Sequence, residues 1–166
     1  MSAFRISRRD AIVSAAFAGA LGLLGAPSLA ADGANVKGAM QALKDDTGKL
    51  GGAKLDGDGL FFGGTKINED YSIVDAVKAK HGGTATLFAK KGNNYVRVST
   101  NVMKDNARAV GTILDPSGPA YAAISQGNAF YGMVDILGKI YDTGYEPIKG
   151  DGGAIIGVYY VGYMME

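Results

Sequence analysis

The chain has 166 residues and a mass of 17.1 kDa, a length that predicts one domain with a core of its own. Lys and Arg number 17 against 16 Asp and Glu, and the net charge of +1 excludes the basic surface typical of nucleic-acid binding. Because the chain has no Cys and a single His, thiol nucleophiles, disulfides, cysteine zinc sites and multi-histidine metal sites are excluded too.

Residues 1–30 have the composition of an export signal. An apolar run over 11–26 is preceded by three basic residues, Arg5, Arg8 and Arg9, and small residues ending at Ala30 provide a cleavage site. The run has about 16 residues, whereas a membrane-spanning helix needs roughly 20. We therefore predict a signal peptide at 1–30, cleaved near Ala30, and a single domain at 32–166 that is soluble in the periplasm.

Two adjacent arginines predict the export route. The segment from Ser7 to Ile12 resembles the twin-arginine motif, with Arg8 and Arg9 just ahead of a weakly apolar stretch. Ala11 stands where this motif usually has a phenylalanine, so an ordinary secretory signal remains an alternative. A second alternative is that the segment is retained as an N-terminal anchor.

The first part of the predicted domain favours helices separated by glycine-rich segments. An amphipathic helix is predicted over 35–50 from apolar residues at helical spacing, Val36, Met40 and Leu43. Glycines interrupt 54–67, which predicts a short hairpin there. A second helix is predicted over 70–80, with Asp70 as its N-cap.

The rest of the chain favours strands. They are predicted over 84–89, 95–102, 108–114, 130–137, 139–148 and 154–163. Pro119 opens a brief helix that runs through Ile124, and the last two strands are joined as an antiparallel hairpin. Alternation along 95–102 places Arg97 and Ser99 on the same face of the sheet. We expect an α+β domain in which one or two helices lead into a five-stranded antiparallel sheet.

Six ordered blocks carry a family resemblance. They are GGTATLF at 82–88, VRVSTNV at 96–102, RAVGT at 108–112, FYG at 130–132, YEPIK at 145–149 and IGVYYVG at 156–162. In this order and spacing they resemble the extracellular Cache sensory domains of bacterial receptors, of the Cache 3/Cache 2 fusion type. The resemblance extends over about 36–163, nearly the whole predicted domain.

The resemblance implies a PAS-like fold, with a long N-terminal helix and a central antiparallel sheet that cradles a small ligand. In receptors of this kind the domain lies between two membrane helices and relays ligand occupancy to a cytoplasmic module. This chain departs from that plan, since we expect neither a second spanning helix nor an output domain. Ligand binding, with occupancy passed to a separate membrane-bound chemoreceptor or sensor kinase, is what the resemblance then implies.

One face of the predicted strand 139–148 carries a cation, two phenols and a hydroxyl. Period-two alternation brings these side chains together, namely Lys139, Tyr141, Thr143 and Tyr145. Such a face suits the wall of a pocket for a small carboxylate, because tyrosine rings exclude water while their hydroxyls orient a ligand. A half-exposed sheet face of amphipathic side chains is the alternative.

Four further residues complete the predicted pocket. Arg97 and Arg108 provide guanidinium groups that match a carboxylate with paired hydrogen bonds. Tyr121 on the short helix and Tyr131 on the strand before Lys139 are placed to close the pocket. For Arg97, a solvated cross-strand charge remains the alternative.

Other polar residues carry weak signals. His81 follows the predicted end of a helix, where a polar side chain contacts the last carbonyls. Asp56 and Asp58 loosely resemble a calcium loop but lack its remaining acidic ligands. We expect neither a metal nor a cofactor.

These observations predict a periplasmic sensory module that binds a small organic anion without catalysis. One alternative is a structural or interaction protein that docks on a membrane receptor without a ligand of its own. A hydrolytic enzyme is a further alternative, but a chain with no Cys and one imidazole lacks the usual activated nucleophile.

Overall fold

The computed structural model describes residues 29–165 of the chain, so the predicted signal peptide lies almost entirely outside the described residues. The helices of this part are α1 (Leu29–Gly48), α2 (Ser72–His81) and α3 (Pro119–Ser125). Its strands are β1 (Ala53–Asp56), β2 (Gly59–Phe62), β3 (Thr65–Lys66), β4 (Thr84–Lys91), β5 (Asn94–Thr100), β6 (Met103–Lys104), β7 (Ala107–Arg108), β8 (Phe130–Ile136), β9 (Lys139–Lys149) and β10 (Ile155–Met164).

Five strands form one antiparallel sheet in the order β5-β4-β10-β9-β8. The predicted α+β class and central five-stranded sheet are confirmed, and so is the β9–β10 hairpin. Residues 54–67, predicted as a hairpin, form the three-stranded meander β1-β2-β3. Within the described part of the chain, no helix combines the length and the apolar character needed to cross a bilayer.

The two faces of the sheet are covered by different elements. On one of them, called here the helix face, α1 and α2 pack against apolar side chains that include Leu87 and Val161. The predicted apolar positions of α1, Val36, Met40 and Leu43, are all buried there. The opposite face, called here the cavity face, buries aromatic side chains beneath α3 and the loop that precedes it.

A β-bulge in β5 interrupts the alternation of side chains that was predicted for that strand. Phe88 of β4 pairs with Arg97, but Leu87 pairs with Ser99, so Val98 is an extra residue between them. The bulge turns Ser99 to the helix face, where its hydroxyl donates to the carbonyl of Asp70. Arg97 stays on the cavity face, and the prediction that Ser99 shares its face was wrong.

The strand predicted over 108–114 was also wrong, because the chain turns at Gly111 with a φ of 81°. Only its first residue enters a strand, β7, while Ile113 forms an isolated bridge with Val96. The segment still covers the outer edge of β5 through backbone bonds, since the Arg97 N–H donates to Thr112 and the Gly111 N–H donates to Arg97. An exposed strand edge is thereby protected.

The start of α2 differs from the prediction by one residue. Tyr71 occupies the N-cap position and makes no capping side-chain bond. Asp70 lies just before it, and its carboxylate accepts the hydroxyl and the backbone N–H of Ser72. These two bonds lower the pKa of Asp70, so its charge stabilises the turn that leads into the helix.

Gly157 of β10 provides a test of how closely the sheet is packed. A Cβ added at this residue would collide with the carbonyl oxygen of Phe88 on the neighbouring strand. Because a paired backbone atom cannot move aside without breaking the ladder, Gly157→Ala should lower the free energy of unfolding by about 2–3 kcal/mol. Urea denaturation measures this loss.

Gly38, inside α1, provides the matched control. A Cβ there would have no atom within 4 Å, so Gly38→Ala should raise the free energy of unfolding by about 0.5–1 kcal/mol. Equal effects of the two substitutions would contradict the packing described for β10.

Candidate functional site

A cavity of about 130 Å³ opens on the cavity face, where β5, β8 and β9 approach the loop before α3. Its lining consists of Arg97, Ile113, Leu114, Asp115, the segment 134–137 and Tyr145. An apolar protein cavity of about 150 Å³ is known to hold benzene. By that measure the volume suits a ligand of about six non-hydrogen atoms.

Arg97 is the only cation in the lining of this cavity and is only 4% exposed. Its Nη1 donates to Thr112 Oγ1 at 2.7 Å, and its guanidinium carbon lies 4.9 Å from the centre of the Phe88 ring. Among the described residues no carboxylate forms an ion pair with it, and its Nε is buried without a hydrogen-bond partner. Burial lowers the pKa of Arg97, because water no longer solvates the charge.

Two tyrosine side chains, Tyr145 and Tyr160, lie near the Arg97 guanidinium. Tyr145 is buried, and its ring centre lies 5.0 Å from that of Tyr160 and 6.2 Å from that of Phe130. Burial raises the pKa of Tyr145 and of Tyr160, so both remain neutral hydroxyls at physiological pH. The Tyr160 hydroxyl forms a hydrogen bond with Thr84 Oγ1 at 3.0 Å. These rings exclude water from one side of the guanidinium without neutralising it.

The cavity has a polar, buried floor, and its exposed lining is partly aliphatic and partly acidic. Arg97 and Tyr145 are almost fully buried and form its floor. Ile113 and Leu137 are 45% and 44% exposed and form its mouth. A ligand would therefore enter past aliphatic side chains and the Asp115 carboxylate and meet the positive charge at the end of its path.

Three residues of the predicted strand face lie where the alternation placed them. Tyr141, Thr143 and Tyr145 are buried on the cavity face of β9. Of these, only Tyr145 lines the cavity, while the Thr143 hydroxyl donates to the carbonyl of Gly132 at 2.6 Å. Tyr121 of α3 packs nearby on Tyr95, with 5.7 Å between the ring centres.

Arg108 lies away from the cavity. Its Nη1 and Nη2 donate to the two carboxylate oxygens of Asp75, each at 2.8 Å, and its guanidinium stacks on Tyr71. This pair raises the pKa of Arg108, since the hydrogen bonds that the guanidinium donates to Asp75 favour its charged form. Through Asp75, Arg108 joins the β6–β7 hairpin to α2. The strand predicted over 108–114 gave no indication of this contact.

Tyr131 and Lys139 also lie elsewhere. Tyr131 is on the helix face of β8, where its hydroxyl donates to Glu146 Oε1 at 2.6 Å. Lys44 of α1 contacts the other oxygen of Glu146 at 2.7 Å. Lys139 is exposed at the start of β9 and lines an open groove beside the β6–β7 hairpin, which shares Leu137 with the Arg97 cavity.

Sequence reasoning missed the apolar residues of the cavity. Ile113 and Leu114 lie in the loop that replaced a predicted strand, and Val134 and Ile136 face inward from β8. Leu137 lies in the two-residue turn between β8 and β9. Gly138 marks this turn in the sequence, so the turn itself could be predicted. Across residues 29–165, no three His, Cys, Asp or Glu side chains gather as metal ligands.

Comparison with known proteins identifies the family. The family model described as the Cache 3/Cache 2 fusion domain matches residues 28–166. A comparison with curated proteins finds no match. The match includes all the described strands and helices, so the predicted resemblance is confirmed. The chain belongs to the Cache 3/Cache 2 fusion domain family, whose members are sensory domains of the cell exterior.

Proposed function

We propose that the protein binds a small organic anion, a carboxylate, in the cavity above Arg97 and that it does so without catalysis. The observation that carries this proposal is a buried guanidinium whose Nε has no partner at the floor of a cavity. A buried charge without a counter-ion is costly, and a partner of opposite charge in good hydrogen-bonding geometry offsets part of that cost.

The free edge of the guanidinium fits a carboxylate. Because Nη1 already donates to Thr112, the edge formed by Nε and Nη2 remains for a ligand, which would have to displace the side chains that enclose Nε. Two parallel bonds from this edge match the two oxygens of a carboxylate, and charge-assisted bonds of this kind are the stronger ones. The Tyr145 hydroxyl is a second polar group on the same floor.

The lining of the cavity contains no imidazole and no thiol, and its two carboxyl residues, Asp115 and Asp135, are exposed. The single imidazole of the chain, His81, is exposed at the end of α2 and does not line the cavity. With no Cys in the chain, no thiol is present to act as a nucleophile. Binding, rather than turnover, is the chemistry that these groups support.

We further propose that the domain at 32–166 is exported to the periplasm by a signal peptide at 1–30. The family match supports a location outside the cytoplasm, and the arginine pair at 8–9 supports the twin-arginine route. A membrane-bound chemoreceptor or sensor kinase is the proposed partner that responds to ligand occupancy.

Arg97→Met tests the proposed site by isothermal titration of the purified protein with acetate, propionate, isovalerate and succinate. We expect the wild type to bind at least one of the monocarboxylates and the variant to lose at least about 30-fold in affinity, since two charge-assisted bonds disappear. The variant should unfold at or above the wild-type temperature, because the substitution removes an unpaired buried charge.

Arg108→Met is the matched control. It removes a guanidinium that is paired with Asp75 outside the cavity, so binding should stay within twofold while stability falls by about 1 kcal/mol. If folded wild-type protein binds none of the four anions, the proposal fails, and a docking protein without a ligand becomes the better account.

Export is tested with the double substitution Arg8→Lys, Arg9→Lys, followed by cell fractionation of the tagged chain. The twin-arginine route requires both guanidinium groups, so the variant should remain in the cytoplasm while the wild type reaches the periplasm. Undiminished export of the variant would contradict this route and favour an ordinary secretory signal.

A further inference from the structure

Leu137 has a backbone conformation that suits a different residue type. The β8–β9 turn has two central residues, Leu137 and Gly138, with φ angles of 56° and 84°. Positive φ at both positions defines a type I′ turn, in which Asn followed by Gly is the preferred pair. A leucine in this left-handed conformation is strained, because its Cβ crowds the backbone.

The same chain follows the usual preference at a neighbouring turn. Asp105 and Asn106 join β6 to β7 with φ angles of 50° and 63°, and both are residue types that tolerate this conformation. Among the described residues other than glycine, Leu137 is the only apolar one with a positive φ. Its side chain is also 44% exposed, so it contributes little burial to offset the strain.

The position of the Leu137 side chain suggests a role for this strained conformation. Its side chain lies at the mouth of the Arg97 cavity together with Ile113, which is exposed to the same degree. Between this mouth and the charged floor, the walls are formed by Leu114, Val134 and Ile136. A molecule with a carboxylate at one end and an aliphatic group at the other matches this gradient.

An acidic residue of the lining, Asp115, argues against a second carboxylate on the ligand. Asp115 and Asp135 are both exposed where the cavity meets solvent. Asp115 accepts hydrogen bonds from Ser117, which lower the pKa of that carboxyl and keep it charged. Asp135 accepts the backbone N–H of Gly138, but it pairs with Ile140, so its side chain leaves the strand from the opposite face. A dicarboxylate would place its second charge near Asp115.

We propose that Leu137 is a specificity-determining residue that contacts the aliphatic tail of a monocarboxylate whose head group is held by Arg97. This inference rests on the proposed function, since it concerns the same cavity. The strained leucine at this turn places an exposed aliphatic group where the tail of such a ligand would contact it.

Leu137→Asn tests this inference by titration with isovalerate, which has an aliphatic tail, and with acetate, which has almost none. The affinity for isovalerate should fall about fivefold, as expected for about one lost aliphatic contact, while the affinity for acetate changes less than twofold. The same variant should raise the unfolding temperature by about 3 °C, because Asn accepts the left-handed conformation. Leu137→Gly should give the same two results.

Ile140→Asn is the matched control, since it makes the same kind of change at an exposed residue of the same hairpin, on the opposite face. It should leave both affinities within twofold. If Leu137→Asn changes the two affinities equally, changes neither, or lowers the unfolding temperature, the role of Leu137 is wrong while the Arg97 site stands. If the wild type binds neither acid, both proposals fail.

Discussion

The guanidinium of Arg97 is buried without a counter-ion, and this unpaired charge determines what the cavity can bind. The protein stabilises Arg97 only in part, through Thr112, the face of Phe88 and the phenols of the cavity face. None of these groups carries a negative charge, so the folded domain retains a position where an anion would be favoured. Because the charge is shielded from water, an anion would bind there more strongly than at a surface arginine.

The backbone around Arg97 explains how a cation comes to lie there. The bulge at Val98 keeps Arg97 on the cavity face while Ser99 turns to the helix face and joins it to α2. The irregular segment after β7 then runs along β5, which places Thr112 beside the guanidinium and Ile113 at the mouth. A regular strand in that position would pair with β5 throughout and would have no turn at Gly111.

The sequence predicted the long helix, the central sheet and the shared face of Tyr141, Thr143 and Tyr145, because these follow from local periodicity. It did not predict the bulge, since one extra residue leaves the apolar pattern of β5 nearly unchanged. Arg108 and Tyr131 were expected near the pocket, and both are instead held by carboxylates of distant elements, Asp75 and Glu146. Such long-range pairs depend on tertiary packing, which periodicity does not encode. The roles of the predicted residues in binding remain predictions.

A crystal structure of the protein grown with isovalerate would show whether a carboxylate occupies the Arg97 cavity. We predict carboxylate density within about 3 Å of the Arg97 guanidinium nitrogens, with the tail directed between Ile113 and Leu137. A cavity that holds only water, with the anion bound elsewhere or with a carboxylate of the protein itself paired with Arg97, would contradict this prediction.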